Sequence, residues 1–162
     1  MSEQKVPYII NDKYKYRKSV NGGKRADLGN MYFRSSWEAN YARYLNFLKK
    51  NGSIVNWEYE PDTFEFENIK RGTRFYTPDF KIWLINGYVE YHEIKGYMDT
   101  KSKTRHKRMS KYFPDVKIEM IDKDRYSILQ KQLKNIIPNW ECENKHKINN
   151  HERHITTGFS DD

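Results

Sequence analysis

RFYTPDFKIWLINGYVEYHEIKGY, residues 74–97, decides how the fold is read. Two runs rich in aromatic and β-branched residues flank Asn86-Gly87, which is the pattern of a β-hairpin. Asp79 stands near the start of the first strand, and Glu93 and Lys95 near the end of the second. Charges in a half-buried sheet lose hydration and need a partner or a metal. A two-residue Asn86-Gly87 loop would set Asp79 opposite Ile94 and turn it to the wrong face. A three-residue loop, Ile85-Asn86-Gly87, sets Asp79 across from Glu93 and gives Gly87 the left-handed position such a loop requires. The same register gathers Phe80, Ile82, Leu84 and Ile94 on the opposite face as core, and sends Glu90 and His92 there too. It satisfies both packing and chemistry. A bulge near Pro78 is a second route to the same alignment.

Outward from the hairpin, the spacing of Trp37, Tyr41, Tyr44, Leu45 and Leu48 predicts a helix in SSWEANYARYLNFLKKNG. Ser35 is its N-cap, Lys49 and Lys50 suit its last turn, and Asn51-Gly52 stops it. SIVNWEYEP reads as a strand closed by Pro61, TFEFE as a half-exposed strand, and NIKRGTR as a turn. After the hairpin come a basic helix in KSKTRHKRMSKYF, an alternating strand in VKIEMI and an amphipathic helix in DRYSILQKQLKNII. The fold class is therefore α/β, with a mixed, mainly antiparallel central sheet flanked by helices. Residues 1–33, with a turn at Asn21-Gly22-Gly23, are expected as an arm or short hairpin that could serve a dimer contact. Residues 34–137 form the domain, and residues 138–162 a polar, mobile tail.

The 162 residues suffice for one domain with its own core. Mean hydropathy is low, at −1.07, but 13 Tyr, 8 Phe and 4 Trp supply large buried areas. A formal charge of +8 points to a polyanionic partner. Cys142 alone excludes an intramolecular disulfide and suits a reducing cytoplasm. No apolar run approaches the roughly 20 residues that span a bilayer, and the N-terminus lacks a signal-peptide core. The expected compartment is the cytoplasm, that of a host cell if the chain is phage-encoded. Cys142, His146, His151 and His154 match no standard zinc spacing and are read as part of the tail.

Two facing carboxylates repel unless a cation lies between them, and one would otherwise hold its proton. Mg²⁺ favours oxygen ligands and commonly takes one or two carboxylates with water and a phosphate oxygen. Lys95 next door could orient or acidify a water and offset charge on a phosphate. Acid, acid and lysine around a metal suit phosphodiester cleavage.

Thr77-Pro78-Asp79, followed after thirteen residues by Glu93-Ile94-Lys95-Gly96, resembles the PD-(D/E)XK nuclease signature. The order of elements over about residues 33–122 resembles that superfamily's restriction-endonuclease-like αβββαβ core. The start of FRSSWEANYARYL is similar to phage Holliday-junction-resolvase-like and TnsA-like nucleases, which carry a further acid on this helix. The resemblance implies a Mg²⁺-dependent endodeoxyribonuclease, with Mn²⁺ able to substitute. Asp79, Glu93 and the backbone carbonyl of Ile94 would hold the metal, and Lys95 would be catalytic. Glu38 would be the further acid, binding metal directly or through water. Ser35-x-x-Glu38 is equally a capping box, in which Glu38 bonds back to the Ser35 backbone.

Lys101, Lys103, Arg105, Lys107, Arg108 and Lys111 crowd the helix after the hairpin and are candidate DNA contacts. No base-reading motif accompanies them. The expected substrate is branched DNA, cut during phage recombination. A homing-type or TnsA-like duplex endonuclease and an inactive, DNA-binding nuclease fold are the alternatives, and the sequence does not separate DNA from RNA. Paired cuts across a junction need two centres, so the expected assembly is a homodimer.

Overall fold

Hydrophobic periodicity and caps set the elements of the computed structural model, which describes residues 21–142. Strands β1 (Gly23–Arg25) and β2 (Met31–Phe33) form a small hairpin around a 3₁₀ turn at Ala26–Leu28. Helix α1 (Ser36–Lys50) starts where the Ser35 hydroxyl accepts the N–H of Glu38 at 3.2 Å. It stops at Gly52, whose φ of +72° only glycine adopts without strain.

Next come β3 (Ile54–Tyr59), β4 (Phe64–Glu65), β5 (Phe75–Tyr76), β6 (Phe80–Leu84) and β7 (Val89–Lys95). Helix α2 (Thr100–Tyr112), strand β8 (Ile118–Asp122) and helix α3 (Lys123–Leu133) complete the order. The main sheet runs β3-β6-β7-β8. Its first three strands are antiparallel, and β8 is parallel to β7 because α2 carries the chain back across the sheet. The α/β class with a mixed, mainly antiparallel sheet flanked by helices is what the structure has.

The deciding hairpin has the expected register. Phe80 pairs with His92 and Ile82 with Glu90, so one more step sets Asp79 opposite Glu93. The turn closes with Leu84 N–H to the Tyr88 carbonyl at 2.9 Å, which leaves Ile85-Asn86-Gly87 as its three-residue loop. Gly87 sits at φ +85°. Phe80, Ile82 and Ile94 face α1 and α3 and bury fully with Phe33, Tyr41, Leu45 and Tyr126. Removing a ring such as Phe80 would leave a cavity costing roughly 3–5 kcal/mol.

TFEFE is not part of the main sheet. Its Phe64–Glu65 pairs with Phe75–Tyr76 as a separate ribbon, and the expected alternation holds, with Phe64 and Phe66 buried against Phe113 and Met109 while Glu67 is exposed. Of the turn read at Asn21-Gly22-Gly23, Asn21 stands in a turn at the edge of the described residues. Gly23 already belongs to β1, and the chain reverses at residues 26–30.

The expected boundaries at 33 and 138 fall inside one packed unit. Leu28 and Phe33 are in the core, and Arg43 of α1 pairs with Asp27 at 2.7 Å. Past Pro138, Trp140 packs on Tyr126, and Asn40 bonds both the N–H and the carbonyl of Glu141. A fully buried asparagine needs such partners, and these backbone groups supply them. Residues 1–20 and the histidines at 146, 151 and 154, on which the dimer arm and part of the tail were read, lie outside the described residues. Among the described residues, no helix is long and apolar enough to cross a membrane.

Candidate active site

Alternation along β6 and β7 puts Asp79, Glu93 and Lys95 on the sheet face away from α1 and α3. Asp79 is 3 % exposed and Glu93 7 %. One Asp79 oxygen accepts the backbone N–H of Ile94 at 2.7 Å, and the other accepts Arg34 at 2.8 Å. Glu93 accepts the Tyr76 hydroxyl at 3.2 Å, so the small β4–β5 ribbon supports the site from the side.

The main chain offers one more oxygen. Continuing the hairpin register sets Pro78 opposite Ile94. Proline has no N–H, so it cannot give the carbonyl of Ile94 the ladder bond an ordinary residue would give. That carbonyl points to the same strand edge as the Ile94 N–H, toward Asp79.

Glu38 is 7 % exposed and reaches the cluster from the first turn of α1. Its carboxylate accepts the Ser35 hydroxyl at 2.9 Å, the backbone N–H of Arg34 at 3.0 Å and the Tyr59 hydroxyl at 2.5 Å. The capping box is thus shifted by one residue, since the carboxylate takes the Arg34 N–H and not that of Ser35. All three neighbours donate to it.

Arg34 is the residue that sequence reasoning missed. Its guanidinium bonds Asp79, forms an ion pair with Glu60 and lies 3.8 Å from Glu38. The signal was indirect: three buried acids require a cation, and Arg34 directly precedes the cap residue of the helix that carries Glu38.

Charge balance remains on the acidic side. Burial first, then the facing charges of Glu93 and Glu38, push the Asp79 carboxyl well above the usual range despite Arg34. Burial likewise raises Glu93, with Lys95 and Arg34 pulling it back down. Arg34 itself loses hydration, but Glu60 and Asp79 more than offset this and keep it charged. Tyr76 stays a neutral phenol because burial and then Glu93 disfavour its anion. Oxygen donors that are buried, clustered and short of positive charge fit a hard divalent cation. Among the described residues no group of three or more His, Cys, Asp or Glu side chains is set out to hold a metal, so such an ion would rely on two carboxylates and main-chain oxygen.

The six basic candidates of α2 divide. Lys101, Lys103, Lys107 and Lys111 are exposed. Arg108 donates to the Thr73 carbonyl and lies over the Phe66 ring, so it fastens the β4–β5 loop. Arg105 turns inward over the Tyr76 ring.

On the opposite face, Glu90 and His92 do stand apart from the acids. His92 bonds the Tyr41 hydroxyl at 2.6 Å and Glu90 at 2.9 Å. Because a carboxylate only accepts, Nε2 carries the proton and Nδ1 accepts from Tyr41. They line a groove of about 430 Å³ between α1 and α3, walled mainly by Leu45, Leu48, Ile82 and Leu129.

Residues 13–128 match the family described as "Protein of unknown function (DUF1064)", and the chain belongs to that family. The match spans every strand of the main sheet and every residue of the acidic cluster. No curated protein and no solved structure matches the chain.

Proposed function

We propose that this protein is a metal-dependent DNA endonuclease of PD-(D/E)XK type that acts on branched DNA as a homodimer. The observation that carries the reading is the pair of buried carboxylates, Asp79 and Glu93, set opposite each other with Lys95 on the same face. Buried acids held this close are destabilising on their own. Binding a cation is a function that accounts for them.

In this reading Asp79, Glu93 and the Ile94 carbonyl hold one Mg²⁺ or Mn²⁺, and Glu38 adds negative charge from behind. A bound divalent ion supplies Lewis acidity toward the phosphate and makes water easier to deprotonate. The protein does the positioning. The Ile94 N–H fixes the Asp79 carboxylate, and the Tyr76 hydroxyl fixes that of Glu93. Lys95 lies two residues from Glu93 on the same strand face, where its ammonium can orient the attacking water and oppose charge growing on the phosphate oxygens. The exposed lysines of α2 grip flanking backbone.

One observation favours a second reading. The Arg34 guanidinium already bonds Asp79, as a permanent internal cation would in a DNA-binding module without catalysis. Cleavage of four-way, flap, duplex and single-stranded DNA, with and without Mg²⁺, separates these. Paired nicks on the four-way junction support a resolvase, equal cutting of plain duplex points to the TnsA-like or homing type, and binding without cutting points to the module. Sedimentation at micromolar concentration tests the dimer.

A further inference from the structure

Arg105 differs in kind from its basic neighbours on α2. Ser102, Arg105 and Met109 share the inward face of the helix, at spacings of three and four residues. The cap at Asp99, which accepts the Ser102 N–H at 2.7 Å, fixes where that face begins. The guanidinium carbon of Arg105 lies 5.9 Å from the centre of the Tyr76 ring, and the Tyr76 hydroxyl reaches Glu93. Its Nε is buried and has no hydrogen-bond partner. Buried donors in native structures are nearly always satisfied. This unpartnered Nε, one step from Glu93 through Tyr76, therefore points to an acceptor that the protein itself does not supply and that the terminal guanidinium nitrogens would meet.

We propose that Arg105 is a catalytic residue that donates its guanidinium N–H groups to the phosphate being cut, while the exposed lysines of the same helix contact only flanking phosphates. The proposal rests on the nuclease reading above and names a residue of that same site. The planar fork of arginine matches two phosphate oxygens, which an ammonium does not. In the reaction, the oxygen of water bonds to phosphorus and the bond from phosphorus to the leaving sugar oxygen breaks. Water gives up a proton to the solvent, and the leaving oxygen takes one up. Arg105 exchanges no proton and stays charged, opposing the negative charge that builds on the non-bridging oxygens.

The test compares Arg105→Gln, Arg105→Lys and Lys103→Gln with the wild-type chain. Single-turnover cleavage with Mg²⁺ is measured on whichever DNA the wild type cuts, and Kd by fluorescence anisotropy with Ca²⁺ on the same DNA. Arg105→Gln should slow cleavage by about 10²–10³-fold with Kd within about threefold. Arg105→Lys should recover part of that loss. Lys103→Gln should weaken Kd and lower the salt slope of binding by about one. Wild-type cleavage by Arg105→Gln, or a loss confined to Kd, overturns the assignment and leaves the nuclease reading standing. If Arg105→Gln does not fold, Arg105→Lys decides, and a rate within twofold of wild type overturns it. A wild-type chain that cuts no DNA overturns both.

Discussion

The Asp79 carboxylate accepts a 2.7 Å hydrogen bond from the backbone N–H of Ile94, the residue that follows Glu93. That bond locks one acid to the strand that carries the other. It also explains the neighbour. With proline at position 78, no N–H faces the Ile94 carbonyl across that strand edge, and the Ile94 N–H goes to the Asp79 side chain. A regular ladder residue at 78 would close this edge.

The acids should weaken the fold when no metal is added. Glu93 has a raised proton affinity in the folded state, so the folded chain binds more protons than the unfolded one above the ordinary carboxylate range. Stability from this group therefore falls as pH rises, until the folded pKa is passed. Glu93→Gln keeps the acceptor for Tyr76 and removes the charge. In EDTA it should melt like wild type near pH 4 and higher than wild type at pH 8, by roughly 2–6 °C for about 1 kcal/mol. Equal melting temperatures at both pH values would contradict the charge imbalance.

Arg34 holds the acids apart, and a divalent ion should take over part of that task. Arg34→Gln is expected to destabilise the metal-free chain by about 1–2 kcal/mol, less than for a fully buried pair because the Arg34 side chain is 38 % exposed. Added Mg²⁺ should raise the melting temperature of Arg34→Gln more than that of wild type. Scanning calorimetry with a Mg²⁺ titration measures both. A smaller Mg²⁺ response in the variant would contradict this exchange of one cation for another.

Glu38 sits among donors, and this changes what its substitution should do. Glutamine replaces one carboxylate oxygen with an NH₂ group, which meets either the Ser35 hydroxyl at the Oε1 position or the Arg34 N–H and Tyr59 hydroxyl at the Oε2 position. Glu38→Gln should therefore cost about 1–3 kcal/mol, where a capping box with one free oxygen would tolerate it. Cleavage measured well below the melting transition separates this from catalysis. A wild-type rate there would leave Glu38 as a structural acid alone.

His92 gives a pH signature from the other face. Burial lowers its proton affinity despite Glu90, so the unfolded chain binds a proton first as pH falls. Stability from this group is present above about pH 6.5 and is lost as pH drops below it. His92→Gln should flatten the melting profile between pH 7 and pH 5. An unchanged profile would mean that His92 titrates alike in both states.

The hairpin was legible in the sequence because two independent demands coincide at one register. Gly87 fits only the third loop position, and Phe80, Ile82 and Ile94 bury only if Asp79 faces Glu93. The α1 start was legible for a similar reason, since Ser35 caps locally. What was hidden is long-range. Arg34 reaches Asp79 across 45 residues, and nothing in the residues beside it shows that partner. TFEFE alternates like a main-sheet strand, yet its aromatic rings pack on α2 and its backbone pairs with Phe75–Tyr76. The docking of Trp140 and Glu141 depends on a buried Asn40, which in sequence looks like any polar helix residue.

The central claim is that Asp79 and Glu93 form a metal-dependent nuclease centre. Its most direct test is strand-resolved cleavage of a four-way DNA junction by wild type, Asp79→Asn and Glu93→Gln, each in Mg²⁺ and in excess EDTA. The account predicts paired nicks by wild type in Mg²⁺ alone, with both variants folded, still bound to DNA and slowed by at least about 10³-fold. Undiminished cutting in EDTA, or by either variant, would contradict it.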